Sequence, residues 1–292
     1  MFFFHSCDNT TMELTILGTG GPIPMLNRGG TALAIRVDGE PMLVDCGPKT
    51  VYGLIEAEID PSRIRNLFFT HHHVDHNASF FHFVIVSWTL GRESLRIYGP
   101  DGTETLSNAL ETIYAEDIAY RRELGYPADG ITDIGVKRID AEFETRIRSC
   151  RVRALPVQHS IPTFAYRFET DEGHSIVFSG DTGHIPEMVS FSQDADVLVH
   201  DTGVGPVRTD IPTEGLVWTD YTEPMEEDKR ERLETVHSNA SQCGAVAREA
   251  GVETLVLTHL LPYRDTEAML EAAAEEFDGQ VIVGYDGFTL SV

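Results

Sequence analysis

The segment that most limits what this chain can be is Phe69-Thr70-His71-His72-His73-Val74-Asp75-His76. It closes an apolar run, Asn66–Thr70, and is therefore read as the C-terminal end of a strand. In near-extended backbone alternate side chains share a face, so His71 and His73 can grip one cation while His72 points away. Asp75 and His76 lie just beyond, placed to reach a second cation. Imidazole and carboxylate suit zinc, with manganese or iron as alternatives. Four ligands cannot close two sites, so the segment demands more of them downstream, each leaving a strand end. Three positions meet the demand: His159 after Arg151–Val157, Asp181 after Ser175–Ser179, and His259 after Thr254–Leu257. Any one of the three alone is as readily a polar turn residue. Together, and in this order, they complete His71, His73, His159 and Asp181 on one cation and Asp75, His76, Asp181 and His259 on the other. Asp181 bridges the two through its two oxygens.

The rest of the chain alternates short β runs with helical stretches. Glu13–Leu17, Ala32–Val37, Met42–Asp45, Arg96–Tyr98, Phe164–Glu169, Val197–Val199 and Gln280–Val283 read as strands; Lys49–Ala57, Thr103–Tyr114 and Ser241–Ala250 read as helices. Such interleaving in both halves predicts an α/β protein with two sheets face to face and helices outside. Nothing resembles a linker, so residues 12–292 are expected to form one domain behind an N-terminal extension, residues 1–11. Residues 202–236 stand apart, with several Gly and Pro followed by a charged run. A long irregular segment of this kind is either a solvated excursion or a lid, and a lid would bring Trp218 and Tyr221 over a pocket.

Asp and Glu number 47 against 22 Lys and Arg, a formal charge of −25, and only Lys49, Lys137 and Lys229 are lysines. No basic patch of the nucleic-acid type can be assembled from that set. An acidic, Lys-poor surface fits a salt-loaded, halophilic cytosol, where roughly 1 M salt shrinks the Debye length to about 3 Å; it also fits an acidic mesophile protein kept soluble by its charge. Cys7, Cys46, Cys150 and Cys243 stand far apart with no C-x-x-C pair, which argues against a disulfide framework or a thiolate metal site. No apolar run approaches the ~18 residues that span a bilayer, and MFFFHSCDNTT is a poor signal peptide. The expectation is a cytoplasmic protein with no membrane partner.

With these ligands, with Leu17-Gly18-Thr19-Gly20 and with Val44-Asp45-Cys46-Gly47, the chain from Glu13 to Val292 resembles the metallo-β-lactamase superfamily. That resemblance implies an αββα four-layer sandwich with a two-metal site at one edge of the sheets. His73 stands where oxygen-reducing di-iron relatives carry Glu, so a hydrolase is expected. Within the superfamily the chain looks like the tRNase Z (ribonuclease Z) and arylsulfatase branch. Val199-His200-Asp201-Thr202 resembles that branch's H-E-A/S-T segment with Asp for Glu, His237-Ser238-Asn239-Ala240 its H-x-T/S segment, and Leu255-Val256-Leu257-Thr258-His259 its last ligand segment. The resemblance implies a metal-bridging hydroxide attacking a phosphodiester, Asp75 acting as base toward the metal-bound water, and His237, oriented by Asp201, protonating the leaving group.

Departures from that pattern bear on substrate. The family's H-F-S-x-R-Y reads His259-Leu260-Leu261-Pro262-Tyr263-Arg264, and only 22 positions separate His159 from Asp181, too few for the basic Gly-rich arm that holds tRNA in long-substrate members. With the acidic charge, this predicts a small anionic ester or an RNA end as substrate and disfavours tRNA. An aryl sulfate, a lactone or a carboxyl ester is the alternative on the same two metals. Arg28 and Arg264 are candidates to bind a substrate anion, beside Trp218 and Tyr221. A homodimer is what the resembling branch commonly forms.

Overall fold

The computed structural model describes residues 12–208 and 226–292. The first half supplies β1 (Met12–Gly18), β2 (Ala32–Val37), β3 (Glu40–Val44), β4 (Asn66–Phe68), β5 (Leu95–Gly99) and β6 (Ile134–Arg138). The second half supplies β7 (Glu144–Ile147), β8 (Cys150–Val157), β9 (Thr163–Thr170), β10 (Ser175–Phe178), β11 (Val197–Asp201), β12 (Thr254–Thr258) and β13 (Gln280–Val283). A last strand, β14 (Thr289–Ser291), crosses back to the first sheet. The two seven-stranded sheets run β14-β1-β2-β3-β4-β5-β6 and β13-β12-β11-β10-β9-β8-β7.

Three apolar layers hold these sheets. Between them, Ile16, Val44 and Phe68 from one face meet Tyr166, Phe178 and Val199 from the other. Outside the first sheet, Ala34, Leu43 and Leu67 are covered by α1 (Thr50–Glu56) and α3 (Phe80–Thr89) through Leu54, Phe83 and Trp88. Outside the second, Val177, Leu198 and Leu255 are covered by α9 (Ala240–Ala250) and α10 (Thr266–Ala274) through Val246 and Met269. This is the αββα sandwich. Because strands β11 and β12 are buried on both faces, they read as unbroken apolar runs rather than alternating ones. Each such side chain, fully buried, contributes about 1.5–3 kcal/mol.

The connectivity is what places the site. Strands β10 to β13 pair in parallel, as do β3 to β6. Their C-terminal ends therefore open on one edge of the sandwich, where loops are free to carry polar side chains.

Two features depart from the sequence reading. Helix α3 received no assignment there: FFHFVIVSWT is apolar on nearly every side, so it carries little helical periodicity, and the helix is buried accordingly. The charged end of the 202–236 segment is helix α8 (Glu227–Glu234), laced by Arg230 with Glu227 and Glu234 and by Arg232 with Asp228. The remainder of the suggested lid, with Trp218 and Tyr221, lies outside the described residues, as does the extension 1–11. No helix among the described residues is long and apolar enough to cross a membrane.

Candidate functional site

Seven histidine and aspartate side chains from four loops meet at that edge. His71 and His73 leave β4; Asp75 and His76 sit in the first turn of α2 (Val74–Asn77); His159, Asp181 and His259 follow β8, β10 and β12. One ligand atom from each of His71, His73, His159 and Asp181 lies within 4.8 Å of the others. His73 Nδ1 stands 3.1 Å from both His71 Nε2 and His159 Nε2. Asp181 Oδ2 is 3.6 Å from His71 Nε2 and 3.8 Å from His159 Nε2. A tetrahedral ion with bonds near 2.1 Å has ligand–ligand edges of about 3.4 Å, in the middle of this range. Asp75, His76 and His259 form a second group. His259 Nε2 lies 3.1 Å from Asp75 Oδ2 and 3.2 Å from Asp181 Oδ2, and His76 Nε2 lies 3.3 Å from Asp181 Oδ1. Asp181 thus faces both groups.

The outer ring nitrogens explain why the inner ones converge. His159 Nδ1 donates to the Val236 carbonyl at 2.8 Å, which leaves its Nε2 lone pair pointing inward. His76 Nδ1 is bound to Asp45 Oδ2 at 2.8 Å, and Asp45 also accepts from the backbone and hydroxyl of Thr70 at 2.8 Å each. His259 Nδ1 lies 3.2 Å from Asp201 Oδ1. Such carboxylate and carbonyl partners fix the tautomer and raise the basicity of a metal-binding imidazole. The buried atoms His76 Nε2 and Asp181 Oδ1 make no hydrogen bond, although they are close together. Two buried polar atoms left facing one another in this way fit a cation once His76 gives up its Nε2 proton. The donor set therefore fits two divalent ions.

Protonation divides the two groups. Burial pushes His71, His73 and His159 down, so they stay neutral, as ligands must. Burial also pushes His76 down, but the carboxylates of Asp181 and Asp45 overcome it and raise it to about 10. His259 is likewise raised against burial by Asp181, Asp201 and Asp75.

Beside the ligands, His237 Nδ1 donates to Asp201 Oδ2 at 2.9 Å. Asp201 also accepts from the backbone N–H of Thr182 and Gly203 at 3.0 and 2.9 Å. Burial opposes its charge, yet His237, by charge and by hydrogen bond, and then His259 hold Asp201 ionised, down to about 2. The same carboxylate raises His237 against its burial. The His237 ring stacks on His259 at 5.1 Å and borders a 250 Å³ pocket lined also by Pro22, His73, Val74, Asp75, Asp181 and His259. The arrangement can hold a proton over a cationic pocket.

Arg28 and Arg264 are not among that lining. Arg28 Nη1 donates to Thr19 Oγ1 at 2.6 Å and to the Gly284 carbonyl at 2.8 Å. Arg264 is buried beside a neighbouring 570 Å³ cavity lined by Val207 and Met269. Sequence reasoning named Asp201 only for His237 and missed it behind His259, and missed Asp45 behind His76. Val44-Asp45-Cys46-Gly47 was noticed only as a resemblance, whereas Asp45 is the buried partner of His76. The middle histidine, His72, turns to Thr103 Oγ1 at 2.8 Å, and burial lowers it to about 4.

A two-sheet sandwich with a carboxylate-bridged pair of ligand groups at its open edge defines a class of metal-dependent hydrolase. Residues 41–260 match the Beta-lactamase superfamily domain, and the chain belongs to the metallo-β-lactamase superfamily. Within it, this is a ribonuclease Z-like, metal-dependent hydrolase: it is 31% identical over 286 residues to the Ribonuclease Z of Mycobacterium bovis (strain BCG / Pasteur 1173P2), covering 94% of this chain and 96% of that one. Among solved structures, the metallo-β-lactamase fold protein YhfI from Bacillus subtilis superposes with a TM-score of 0.73 at 22% identity, over 97% of this chain and 100% of that one. The short form of human tRNase Z superposes with a TM-score of 0.68 at 22% identity, over 95% and 98%. At that identity the two structures speak for the fold alone.

The expectation of a small ester substrate, with tRNA disfavoured, is corrected by these relatives. Proteins named Ribonuclease Z align almost end to end with this chain. The charge argument fails on physical grounds as well. A formal −25 sums the whole surface and counts no bound cation. A substrate phosphate senses charges within about 8 Å at physiological salt.

Proposed function

We propose that this chain is a ribonuclease that hydrolyses a phosphodiester bond in tRNA, using two divalent cations, zinc by preference. The observation that carries the reading is the Asp201–His237 pair set beside both ligand groups on one pocket. The name carried by its mycobacterial relative supports the choice of RNA. His71, His73, His159 and Asp181 would hold one cation; Asp75, His76, His259 and Asp181 the other. When bound, such a pair lowers the pKa of water and offsets the charge that builds on the phosphoryl oxygens.

The chain's own groups move the protons. Asp75 takes one from the attacking water as its oxygen bonds to phosphorus. His237 Nε2 gives one to the departing ribose oxygen as the phosphorus–oxygen bond breaks. Asp201 keeps the Nδ1 proton in place, so the Nε2 proton is the one transferred. A poor alkoxide leaving group needs that proton, whereas an aryl sulfate leaves readily without it.

The test is a substrate panel on zinc-loaded protein whose metal content is measured on the same sample. Transcripts carrying a tRNA with extra nucleotides at each end should be cut at a single phosphodiester. p-Nitrophenyl sulfate, a lactone and a p-nitrophenyl carboxyl ester should be turned over at least a hundredfold more slowly than the RNA. Faster turnover of any of these three overturns the reading.

A further inference from the structure

The link from β13 to β14, residues 284–288, leaves one sheet and joins the other, and it carries a carboxylate that the proposed chemistry does not use. Asp286 Oδ1 accepts from Thr19 N at 3.0 Å and from Thr19 Oγ1 at 2.7 Å, while Oδ2 accepts from Gly29 N at 2.5 Å. Its charge is faced by Arg28, whose own hydrogen bonds close the same ring through Thr19 and Gly284. One side chain thereby pins both ends of the strap formed by residues 19–30. The strap also binds itself, Gly20 N donating to the Gly29 carbonyl at 2.8 Å.

What the strap touches gives the pinning a purpose. Leu260 N donates to the Thr19 carbonyl at 2.8 Å, which fixes the backbone immediately after His259. His259 itself adopts a left-handed backbone conformation, with φ 61°, and needs such support. Gly21 walls the imidazole: a Cβ there would stand 3.2 Å from His259 Cε1. At the strap's other end Gly30 packs on Asp75, since a Cβ would come within 2.6 Å of the Asp75 carbonyl. His259 and Asp75 lie 184 positions apart in sequence, and both lean on a strap held by one carboxylate.

We infer that Asp286 is a positioning residue for the cation assigned to Asp75, His76 and His259. It sets the spacing between His259 and Asp75, and it leaves the His71, His73 and His159 group alone. The inference rests on reading Asp75, His76 and His259 as ligands. In Asp286→Asn the amide still offers an oxygen to Thr19 but turns its NH2 toward Gly29 N, donor against donor, so the strap is loosened without emptying the site.

The experiment titrates metal-free wild type, Asp286→Asn, His76→Ala and the double variant with zinc against a chromophoric chelator, and follows the melting temperature of each metal-free form. Wild type should bind two equivalents. Asp286→Asn should weaken one of them tenfold or more and keep the other within threefold. On the His76→Ala background, where that cation is already lost, the same change should leave the remaining equivalent within twofold. Asp286→Glu, one methylene longer, should keep part of the affinity that Asp286→Asn loses. Two wild-type equivalents in Asp286→Asn, or equal weakening of both with a parallel fall in melting temperature, overturns the inference while leaving the site reading intact. Fewer than two equivalents in wild type overturns the site reading and the inference with it.

Discussion

The two ligand groups share Asp181 but are built differently. The group of His71, His73 and His159 is three imidazoles pressed together, with His73 Nδ1 3.1 Å from a nitrogen of each of the others, kept neutral by burial. Asp181 is the one carboxylate beside it. The group of Asp75, His76 and His259 is backed by Asp45 and Asp201, and in the cation-free chain its histidines hold protons and pair with carboxylates. One side waits for a metal; the other can substitute protons for it. Burial alone does not make a ligand: the carboxylates behind the ring decide whether it meets the cation free or already charged.

The two groups have Asp181 in common, so its loss should reach both. Asp181→Asn should strip both cations, because each group loses its bridging oxygen, and RNA cleavage should fall by at least about a thousandfold. Metal analysis after dialysis checks it. One full equivalent retained would mean that the groups are independent. His237→Ala should act differently. It takes away the proton donor and leaves every ligand, so cleavage should fall by about a hundred- to ten-thousandfold with two equivalents of metal still bound. A variant that loses metal and activity together would make His237 a ligand, which its place in a group with Asp181, Asp201 and His259 within 4.8 Å makes a fair challenge.

A packing variant separates the sides at lower cost to activity. A Cβ added at Gly47 would stand 2.0 Å from the Asp75 carbonyl and 2.6 Å from Gly30 C, backbone against backbone. Gly47→Ala should therefore destabilise the protein by about 1–3 kcal/mol or more, seen as a lower urea midpoint. Its metal loss should fall on the Asp75 side, with the three-imidazole group still binding one equivalent. Loss of the His159-side cation instead would reverse the assignment of the two cradles.

Much of this was legible in the sequence, for physical reasons that vary with position. The seven side chains that meet at the sheet edge were readable as a set because metal chemistry restricts residue type and because most follow an apolar run: Thr254–Thr258 ahead of His259 reads as a buried strand in sequence and is one in the fold. Asp45 as the support of His76 was not, because a single Asp behind a histidine carries no periodic signal; Asp201 was reached only through the family resemblance. Asp45 lies 31 positions from His76, and nothing in either segment announces the pairing. Arg28 looked like a hand for a substrate anion, but sequence does not reveal that its guanidinium is directed at Thr19 and Gly284. Helix α3 escaped because an element apolar all round has no face to read. The substrate was misjudged from total charge, a quantity that loses the positions of the charges.

The smallest expected effect is on stability, through the protons that the two groups hold or refuse. His76 rises from an ordinary 6.5 to about 10 in the folded, cation-free chain, as its two carboxylates outweigh its burial. A group whose folded pKa is raised stabilises the fold fully below its unfolded pKa, and that contribution is lost as pH climbs through the folded value. The window is therefore pH 6.5 to about 10, and His259 shifts in the same direction. His71, His73 and His159 are lowered by burial, so their effect has the opposite sign: the fold loses stability as pH falls below 6.5, where the unfolded chain takes up protons that the buried rings refuse. The melting temperature of the chelated protein should peak near neutrality and fall by several degrees toward pH 10. Zinc-loaded protein has neutral histidines on both sides and should lack the alkaline fall, so the difference between the two melting curves widens as pH rises from 7 to 10. Taking that difference cancels other groups that titrate in the same range. Curves that stay parallel across the window would mean that His76 and His259 carry no protons in the cation-free fold, and the two halves of the centre would then be alike.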